Sequence, residues 1–379
     1  MPSKKTLSKH GLRTWIEIDT KALANNYRLF KKHVGKGPLV MAIAKSNAYG
    51  HYLVEYAKEM EMLGADWIGV DSLVEGLTLR KEGITVPILV LGYTLPEKFE
   101  EAAESDISLA VSSFESLSAL QKRKLNLKIH IKVDTGMHRQ GFLPEQIPKL
   151  LREIAHLPTS VVLEGVFTHL AAKDPSIMRS NKEQIRVFET VREQFVAAGH
   201  APLFHAAATW GTLVYPDAHY DMVRLGIGLF GYFPSGATKR EFEKRLPLRP
   251  ALSWKTVLSE IKQLPEGGGI GYDLTEELPP GAKIGICPIG YWHGYPRALS
   301  SVGFVLVCGK RARVLGRVSM DMIAVDLSLV PKAKTGDEVV LIGRQGKETI
   351  DALEVASWMG ASHYELLTRI NPLIKRIYF

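Results

Sequence analysis

Residues 39–51 of the sequence read LVMAIAKSNAYGH, a short apolar run that ends in a lysine and a polar turn. Strand-sized apolar runs of this kind recur through about two-thirds of the chain, and amphipathic helical stretches separate them. Near-continuous apolar strands that alternate with helices predict an α/β chain with a TIM-type (β/α)8 barrel. An open doubly wound sheet is the structural competitor. The predicted strands lie near residues 39–44, 67–71, 87–91, 107–111, 128–133, 161–167, 203–208 and 222–225.

The sequence pattern changes near residue 240, where the segment KREFEKRLPLRP is charged and contains prolines. Beyond it, apolar residues recur with period two between Gly and Pro turns, which predicts a mainly β C-terminal domain with a short helix near 351–358. The early run TWIEID is a strand that has no place in the barrel. The predicted divisions are a tail (1–13), an early strand (14–20), the barrel (21–240) and the β domain (241–379).

Composition excludes several classes of protein. The chain has 379 residues, of which 46% are hydrophobic and 23% charged, as in ordinary soluble proteins. The net charge is +8, but basic residues are interspersed with acidic ones, so we expect no nucleic-acid partner. No apolar run is long enough for a membrane span or a signal peptide, which favours the cytoplasm. Cys287 and Cys308 form neither a disulfide framework nor a metal site pattern.

Polar and cationic side chains follow the predicted barrel strands, where the active sites of such barrels lie. Lys45 is the sharpest case, because a lysine in a partly desolvated pocket can form a Schiff base. Judged by position alone, a solvated surface lysine is the favoured reading. Its small neighbours Ala44, Ser46 and Ala48 leave room for a flat ligand. The other rim residues are Tyr49, Lys132, Asp134, Arg139, Thr168, His169, Thr209, Arg224, Gly226 and Ile227.

The stretch GIGLFG follows the last predicted strand and matches G-x-G-x-x-G. It lacks the early strand–turn–helix setting of a dinucleotide site, so we reject that interpretation. Glycines at this place suit a phosphate cradle of backbone N–H groups, or else a tight strand exit. Taken singly, Arg224 is equally consistent with a structural arginine and with a ligand contact. His169 is more typical of a hydrogen-bonded core histidine, and Tyr272 is consistent with a hairpin tyrosine.

Eight motifs follow one another along the chain: MAIAKSNAYGH, KVDTGMHRQGF, EGVFTHLA, MVRLGIGLFGY, GIGYDLT, PIGYWHGYPR, GRVSMDM and YELLTRINPLIKRIY. Together, in this order, they resemble the alanine racemase family, and the resemblance covers the chain from TWIEID onward. It implies a pyridoxal 5'-phosphate (PLP) dependent isomerase of fold type III, with a β/α barrel and a β domain that the early strand joins.

The resemblance also implies roles for individual residues. Lys45 matches the Schiff-base lysine, which is one catalytic base. Tyr272 matches the base on the opposite face, which the partner subunit of a homodimer supplies. Arg224 matches the arginine that faces the pyridine nitrogen, and His169 lies beside it. The remaining matches are Tyr49, Thr209, Gly226 and Ile227 at the phosphate, Arg139 near the ring hydroxyl and substrate, Met320 and Asp321 in the partner-side substrate region, and Lys132 at a lysine that some members carbamylate.

The implied function is interconversion of L-alanine and D-alanine, which supplies D-alanine for peptidoglycan. A racemase of another amino acid, such as serine or lysine, is the main alternative. A non-catalytic PLP-binding barrel protein and a PLP-dependent decarboxylase of basic amino acids are the others. Six departures from the family pattern bear on substrate choice more than on reaction type. They are Ala208 and Thr209 for Asn and Ser, Tyr52 for a frequent glycine, Trp292 and His293 for smaller or acidic residues, and Pro372 for a pocket tyrosine.

Overall fold

A computed structural model describes residues 11–171 and 178–379. The chain forms two compact units. Among the described residues, the first unit contains 22–48 and 53–249, and the second contains 11–21, 49–52 and 250–379. None of the helices in these described stretches combines the length and the apolarity needed to cross a membrane.

The first unit is a parallel barrel. The strand that precedes it, β1 (Thr14–Ile18), belongs to the second unit. Eight strands pair in parallel in the order β8-β7-β6-β5-β4-β3-β2-β9, and a parallel bridge between Ala208 and Arg224 nearly closes the ring. The TIM-type barrel is therefore confirmed. The strands are β2 (Leu39–Ile43), β3 (Trp67–Val70), β4 (Ile88–Val90), β5 (Ile107–Val111), β6 (Leu127–Lys132), β7 (Val161–Phe167), β8 (Leu203–His205) and β9 (Met222–Leu225).

Helices separate the strands, and sequence signals explain several of their starts. Ser72 and Glu75 form a capping box at the start of one helix, and the Ser113 side chain caps another. Most of the strands are buried on both faces because helices cover one face and barrel side chains fill the other. The helices are α1 (Thr20–Val34), α2 (Lys45–Tyr49), α3 (Leu53–Met62), α4 (Leu73–Lys81), α5 (Phe99–Glu104), α6 (Phe114–Gln121), α7 (Ile147–Ile154), α8 (Met178–Ala197), α9 (Thr209–Val214) and α10 (Gly236–Phe242).

One predicted strand is too long. The run 203–208 is apolar throughout, but β8 ends at His205 and α9 begins at Thr209. Apolarity reports burial, and it does not distinguish extended backbone from a buried turn. Ala206 and Ala207 are fully buried in that turn, and their carbonyl groups accept hydrogen bonds from Arg224.

The second unit is a mainly β domain, as predicted. Its main sheet has the order β11-β14-β17-β16-β15-β18-β10-β1-β20, in which β1 pairs antiparallel with β10 and parallel with β20. Two short helices occur rather than the single predicted one. The elements are β10 (Leu252–Val257), β11 (Glu260–Leu264), β12 (Gly268–Ile270), β13 (Glu276–Leu278), β14 (Ala282–Cys287), β15 (Phe304–Val307), β16 (Lys310–Leu315), β17 (Ile323–Asp326), β18 (Glu338–Gln345), β19 (Glu348–Ile350), β20 (Arg376–Tyr378), α11 (Ala352–Trp358) and α12 (His363–Thr368).

Candidate active site

The α2 segment departs from a regular α-helix, because the turn that follows Lys45 has left-handed backbone. Ser46, Asn47, Ala48 and Tyr49 have φ angles of 55°, 55°, 51° and 51°. Left-handed backbone costs a non-glycine residue roughly 1–2 kcal/mol, so four in succession need support. The Ala48 N–H donates to the Ala44 carbonyl at 2.7 Å, which closes the turn directly behind the lysine. The turn therefore fixes Lys45 at the carboxyl end of β2.

The carboxylate of Glu75, on helix α4, anchors the same turn. Glu75 accepts a hydrogen bond from the Asn47 N–H at 3.2 Å and another from the Asp71 N–H at 2.9 Å. The Asp71 carboxylate lies 3.1 Å from Lys45 Nζ. Glu75 thus ties the lysine turn to the end of β3, and Asp71 provides the counter-charge for the amine.

The loop after β6 carries Arg139 and is organised by one carboxylate. Asp134 accepts hydrogen bonds from the N–H groups of Gly136, His138 and Arg139 at 3.0, 2.9 and 2.9 Å. Gly141 has φ +135°, and a Cβ there would lie 2.6 Å from the Asp134 nitrogen. The loop can therefore close only with glycine at that position.

Lys132 is a buried cation among other cations. Its Nζ donates to Gln140 Oε1 at 2.9 Å. Burial, followed by the charges of Arg139, Arg224 and Lys45, lowers the pKa of Lys132 to about 8. The strand ends of the barrel thus bring four predicted cationic residues into one electrostatic environment.

Arg224 on β9 is almost fully buried and donates to several acceptors. Its Nη1 donates to His205 Nδ1 at 2.8 Å and to the His205 carbonyl at 3.0 Å. Its Nη2 donates to the Thr168 carbonyl at 2.7 Å, the Ala206 carbonyl at 2.9 Å and His169 Nδ1 at 3.3 Å. Within residues 11–171 and 178–379, Arg224 Nε donates to no protein acceptor. Burial lowers the pKa of the guanidinium to about 9, which leaves it charged at neutral pH.

The glycine-rich turn after β9 forms a cradle with Thr209. Thr209 Oγ1 accepts hydrogen bonds from the N–H groups of Gly226 at 3.2 Å and Gly228 at 3.4 Å. The N–H of buried Ile227 has no acceptor in the described part of the chain. A Cβ on Gly228 would lie 2.6 Å from the Phe30 ring and 2.7 Å from Thr209 Cγ2. An anion can take up N–H groups that are arranged in this way.

Tyr49 is placed by the second unit. Its ring centroid lies 6.1 Å from that of Tyr364. The next carbonyl, of Gly50, accepts a hydrogen bond from Arg376 Nε at 3.1 Å. Tyr52 has φ +84°, a backbone conformation that glycine adopts without strain. This explains why glycine suits position 52.

Tyr272 lies at the exposed tip of the β12–β13 hairpin in the second unit. Its side chain is 69% exposed. Gly271, Asp273 and Leu274 have φ angles of 72°, 60° and 48°, so the tip is tightly wound. An ion pair between Asp273 and Arg317 holds the tip to the loop that precedes the S-M-D motif.

The departures near the predicted substrate region lie on adjoining loops of this unit. The backbone N–H of Trp292 donates to the Met320 carbonyl at 3.0 Å, and His293 Nδ1 is 4.0 Å from Asp321 Oδ1. Asn371 Nδ2 donates to the Trp292 carbonyl at 2.9 Å, and the Asn371 N–H donates to the His293 carbonyl at 3.1 Å. Because Pro372 follows Asn371, all three loops meet.

The structure divides the predicted site residues between the two units. The barrel unit holds those expected around the ring and phosphate of the cofactor, and the second unit holds Tyr49, Tyr272, Met320 and Asp321. Sequence reasoning missed Asp71, although the rule that selected Lys45 applies to it as well, since it directly follows β3. The barrel group is Lys45, Lys132, Arg139, His169, Thr209, Arg224, Gly226 and Ile227.

Two family models match nearly the whole chain. "Alanine racemase, N-terminal domain" matches residues 18–234, and "Alanine racemase, C-terminal domain" matches residues 251–378. The alanine racemase of Symbiobacterium thermophilum is 40% identical over 97% of this chain and 98% of its own length. That of Carboxydothermus hydrogenoformans is 38% identical over 96% and 99%.

Solved structures agree with these relatives. The alanine racemase of Bacillus anthracis with bound L-Ala-P has a TM-score of 0.91 and 36% identity, and the match covers 97% of this chain and 95% of that one. The alanine racemase of Clostridium difficile 630 in complex with cycloserine has a TM-score of 0.88 and 31% identity over 97% and 96%. Domain models, relatives and structures converge, and the chain belongs to the alanine racemase family of enzymes.

Proposed function

We propose that this enzyme interconverts L-alanine and D-alanine with PLP, by a two-base mechanism that uses Lys45 and Tyr272. The observation that carries the proposal is the set of groups at the barrel rim. Three of these groups correspond to three parts of the cofactor. The lysine on its fixed turn suits the aldehyde, the arginine Nε that has no acceptor among the described residues suits the pyridine nitrogen, and the cradle of N–H groups suits the phosphate. The D-alanine formed would serve peptidoglycan synthesis.

The barrel residues present fit PLP. Thr209 Oγ1 and the N–H groups of Gly226 and Ile227 would hold the phosphate, together with the Tyr49 hydroxyl. Arg224 Nε would donate to the pyridine nitrogen. Lys45 would hold the aldehyde carbon through its amine, and Arg139 would lie near the ring hydroxyl and the substrate. PLP, when bound, supplies the conjugated system that takes up the negative charge left on Cα.

Two bases are needed because the proton leaves one face of Cα and returns to the other. Lys45 would move the proton on one face at its Nζ, and Tyr272 would move it on the opposite face at its phenol oxygen. A positioned acid or base contributes roughly 10²–10⁴-fold to the rate. The exposed hairpin tip that carries Tyr272 supports its donation to a partner subunit, with Met320 and Asp321, in a homodimer.

Arg224 would restrain side reactions. Its charged guanidinium has only donors and does not give up a proton, so it can donate a hydrogen bond to the pyridine nitrogen without protonating it. The ring then withdraws less charge, which disfavours transamination. Arg224→Ala and Arg224→Glu should therefore change the ratio of transamination to racemisation, and an unchanged ratio would contradict this role.

Lys132 would be carbamylated. A pKa of about 8 leaves an appreciable fraction of its amine neutral near pH 7. The neutral amine would attack carbon dioxide, form an N–C bond and release a proton, which gives an anionic carbamate among Arg139, Arg224 and Lys45. Intact-mass spectrometry with and without bicarbonate, on wild type and Lys132→Ala, tests this modification.

The test of the function is a substrate panel in D₂O with purified, PLP-loaded protein. Cα–H exchange and loss of optical rotation with alanine are the expected result. Borohydride reduction should place the cofactor on the peptide that contains Lys45. Carbon dioxide release would indicate a decarboxylase, and PLP binding without exchange would indicate a carrier.

A racemase of another amino acid is the second candidate. The observation that favours it is the meeting of the Trp292, His293 and Pro372 loops beside Met320 and Asp321. Faster exchange with serine or lysine than with alanine would establish this alternative. Replacing Trp292 with a smaller residue should then shift the preference between these substrates.

A further inference from the structure

A chain of buried polar side chains extends from Arg224 through the barrel interior. Arg224 Nη1 lies 2.8 Å from His205 Nδ1, and His205 Nε2 lies 3.0 Å from His130 Nδ1. His130 Nε2 lies 3.2 Å from Glu164 Oε2, which also accepts a 2.5 Å hydrogen bond from the Ser108 hydroxyl. Both histidines are fully buried, so the contacts occur away from solvent.

The direction of every hydrogen bond in this chain follows from its two ends. Arginine has donors only, so His205 Nδ1 must accept. A neutral His205 then carries its proton on Nε2 and donates to His130 Nδ1. His130 in turn carries its proton on Nε2 and donates to Glu164. The chain is consistent only if a hydrogen-bond acceptor stands at position 164.

The protonation states of the two histidines and of Glu164 agree with this direction of hydrogen-bond donation. Burial lowers the pKa of His130 and lowers that of His205 well below its usual value, so both imidazoles are neutral at pH 7. Burial raises the pKa of Glu164, but hydrogen bonds from His130 and Ser108 outweigh that effect and leave it below its usual value. Glu164 is therefore an ionised acceptor.

The backbone is built to admit this chain. Ile129 pairs with Leu163 and His130 pairs with Gly165, so Glu164 is the extra residue of a β-bulge. A bulge turns a side chain away from the direction that regular alternation would give it. A Cβ on Gly165 would lie 2.0 Å from His130 Nδ1, so only glycine leaves room for the imidazole.

Aromatic rings hold the two imidazoles in place. The Phe167 ring stacks on His205 with centroids 4.9 Å apart and an interplanar angle of 3°. The Trp67 ring meets His130 edge-on at 5.4 Å. Apolar residues of similar volume normally fill such a barrel interior, and buried polar groups stabilise a fold only when every one is paired. This series of hydrogen-bonded side chains therefore does more than fill the barrel interior.

We propose that Glu164 is a positioning residue, which orients Arg224 through His130 and His205 so that the guanidinium presents Nε to the cofactor. This inference rests on the proposed function, because it assigns a reason for the orientation of the arginine toward the pyridine nitrogen. Glu164 acts as the acceptor that ends the chain, and it touches neither cofactor nor substrate.

The first test reads the histidine tautomers in the protein without cofactor. Selective ¹⁵N-histidine labelling and ¹H–¹⁵N correlation spectra, assigned with His130→Gln and His205→Gln, should show both imidazoles as neutral Nε2–H tautomers near pH 7. A His205 ring with its proton on Nδ1, or a doubly protonated ring, would overturn the proposal.

Variants at position 164 distinguish the effect of a hydrogen-bond acceptor from the effect of side-chain packing. Glu164→Gln keeps an acceptor oxygen, so both tautomers and the transamination-to-racemisation ratio should remain. Glu164→Leu removes the acceptor, so the His130 tautomer should change and the ratio should rise about ten- to hundredfold, the scale on which outer hydrogen-bond partners act elsewhere. A leucine variant with wild-type tautomers and ratio would contradict the proposal.

Ser108→Ala is the matched control, because it removes a partner of Glu164 and leaves the acceptor toward His130. It should preserve the ratio. If the leucine variant does not fold, Glu164→Asp replaces it, since the shorter side chain withdraws the oxygen from His130 and should change the ratio in the same direction. The tautomer measurement does not depend on catalysis, so a failure to racemise alanine refutes the proposed function separately.

Discussion

Lys45 Nζ lies 3.1 Å from Asp71 Oδ1, so the amine at the end of β2 is paired with a carboxylate at the end of β3. The two side chains are 38% and 55% exposed, respectively, and solvent therefore screens the pair. Its energetic contribution to folding is therefore small, but it holds the amine beside Asp71 at the end of β2.

Asp71→Asn should accelerate the capture of PLP. The substitution removes the carboxylate that pairs with the amine, so the amine no longer has to leave an ion pair before it attacks the aldehyde. We expect the free energy of unfolding to change by less than about 1 kcal/mol. Stopped-flow absorbance after mixing PLP with cofactor-free protein measures the rate. Asp106→Asn, which breaks the exposed pair with Lys128, is the control, and slower capture by Asp71→Asn would contradict the expectation.

Tyr52→Gly should be more stable than Tyr52→Ala. Both remove the same ring, but alanine retains the strain of φ +84° and glycine does not. The expected difference in the free energy of unfolding is about 1 kcal/mol, after allowance for the greater freedom of glycine in the unfolded chain. Urea unfolding of the two variants decides the matter, and an alanine variant of equal or greater stability would show that the backbone relaxes.

Lys132 should make stability rise with pH. Its pKa is about 8 in the folded protein and 10.5 ordinarily, so between these values the unfolded chain binds the extra proton. The penalty for the buried ammonium is fully present below about pH 8 and is lost as the pH rises toward about 10.5. Its size is up to about 3 kcal/mol at 1.36 kcal/mol per pKa unit.

Lys132→Met should therefore flatten the rise of the unfolding free energy between about pH 7 and pH 10. Lys128→Met is the matched control, since Lys128 lies four residues earlier on β6 and its exposed side chain pairs with Asp106. Chemical unfolding at several pH values, without bicarbonate, provides the measurement. Parallel curves for the Lys132 variant and wild type would exclude the lowered pKa.

Mixing subunits tests whether Tyr272 serves a partner. Lys45→Ala and Tyr272→Phe should each be inactive as homodimers. A one-to-one mixture that exchanges subunits should recover roughly a quarter of wild-type activity, since half of the dimers are mixed and each of these has one complete site. Absence of recovery after demonstrated exchange would show that each subunit works alone.

The barrel was predictable because most of its strands are buried on both faces. Apolar runs such as LVMAI and ISLAV therefore stand out in the sequence, and the structure places β2 and β5 there. The rim residues followed from the rule that barrel sites lie at the carboxyl ends of strands. The same rule predicts that Lys45 and Arg224 lie at the same end of the barrel.

The run 203–208 is a feature that the local sequence predicts incorrectly. Three alanines look like the continuation of a strand, but they form a turn in which the carbonyl groups of Ala206 and Ala207 accept hydrogen bonds from Arg224. Glu164 shows the limit of local sequence more clearly, because a bulge is a property of the pairing between β6 and β7 and leaves no local pattern.

The sequence by itself determined the order of strands, the rim on which the polar groups fall and the family motifs, since each depends on residues close together in the chain. The tertiary structure alone decided the pairing of Lys45 with Asp71, the lowered pKa of Lys132 and the hydrogen-bond path from Arg224 to Glu164. These depend on distances between atoms of different strands, and charge and hydrogen-bond energies change steeply with such distances.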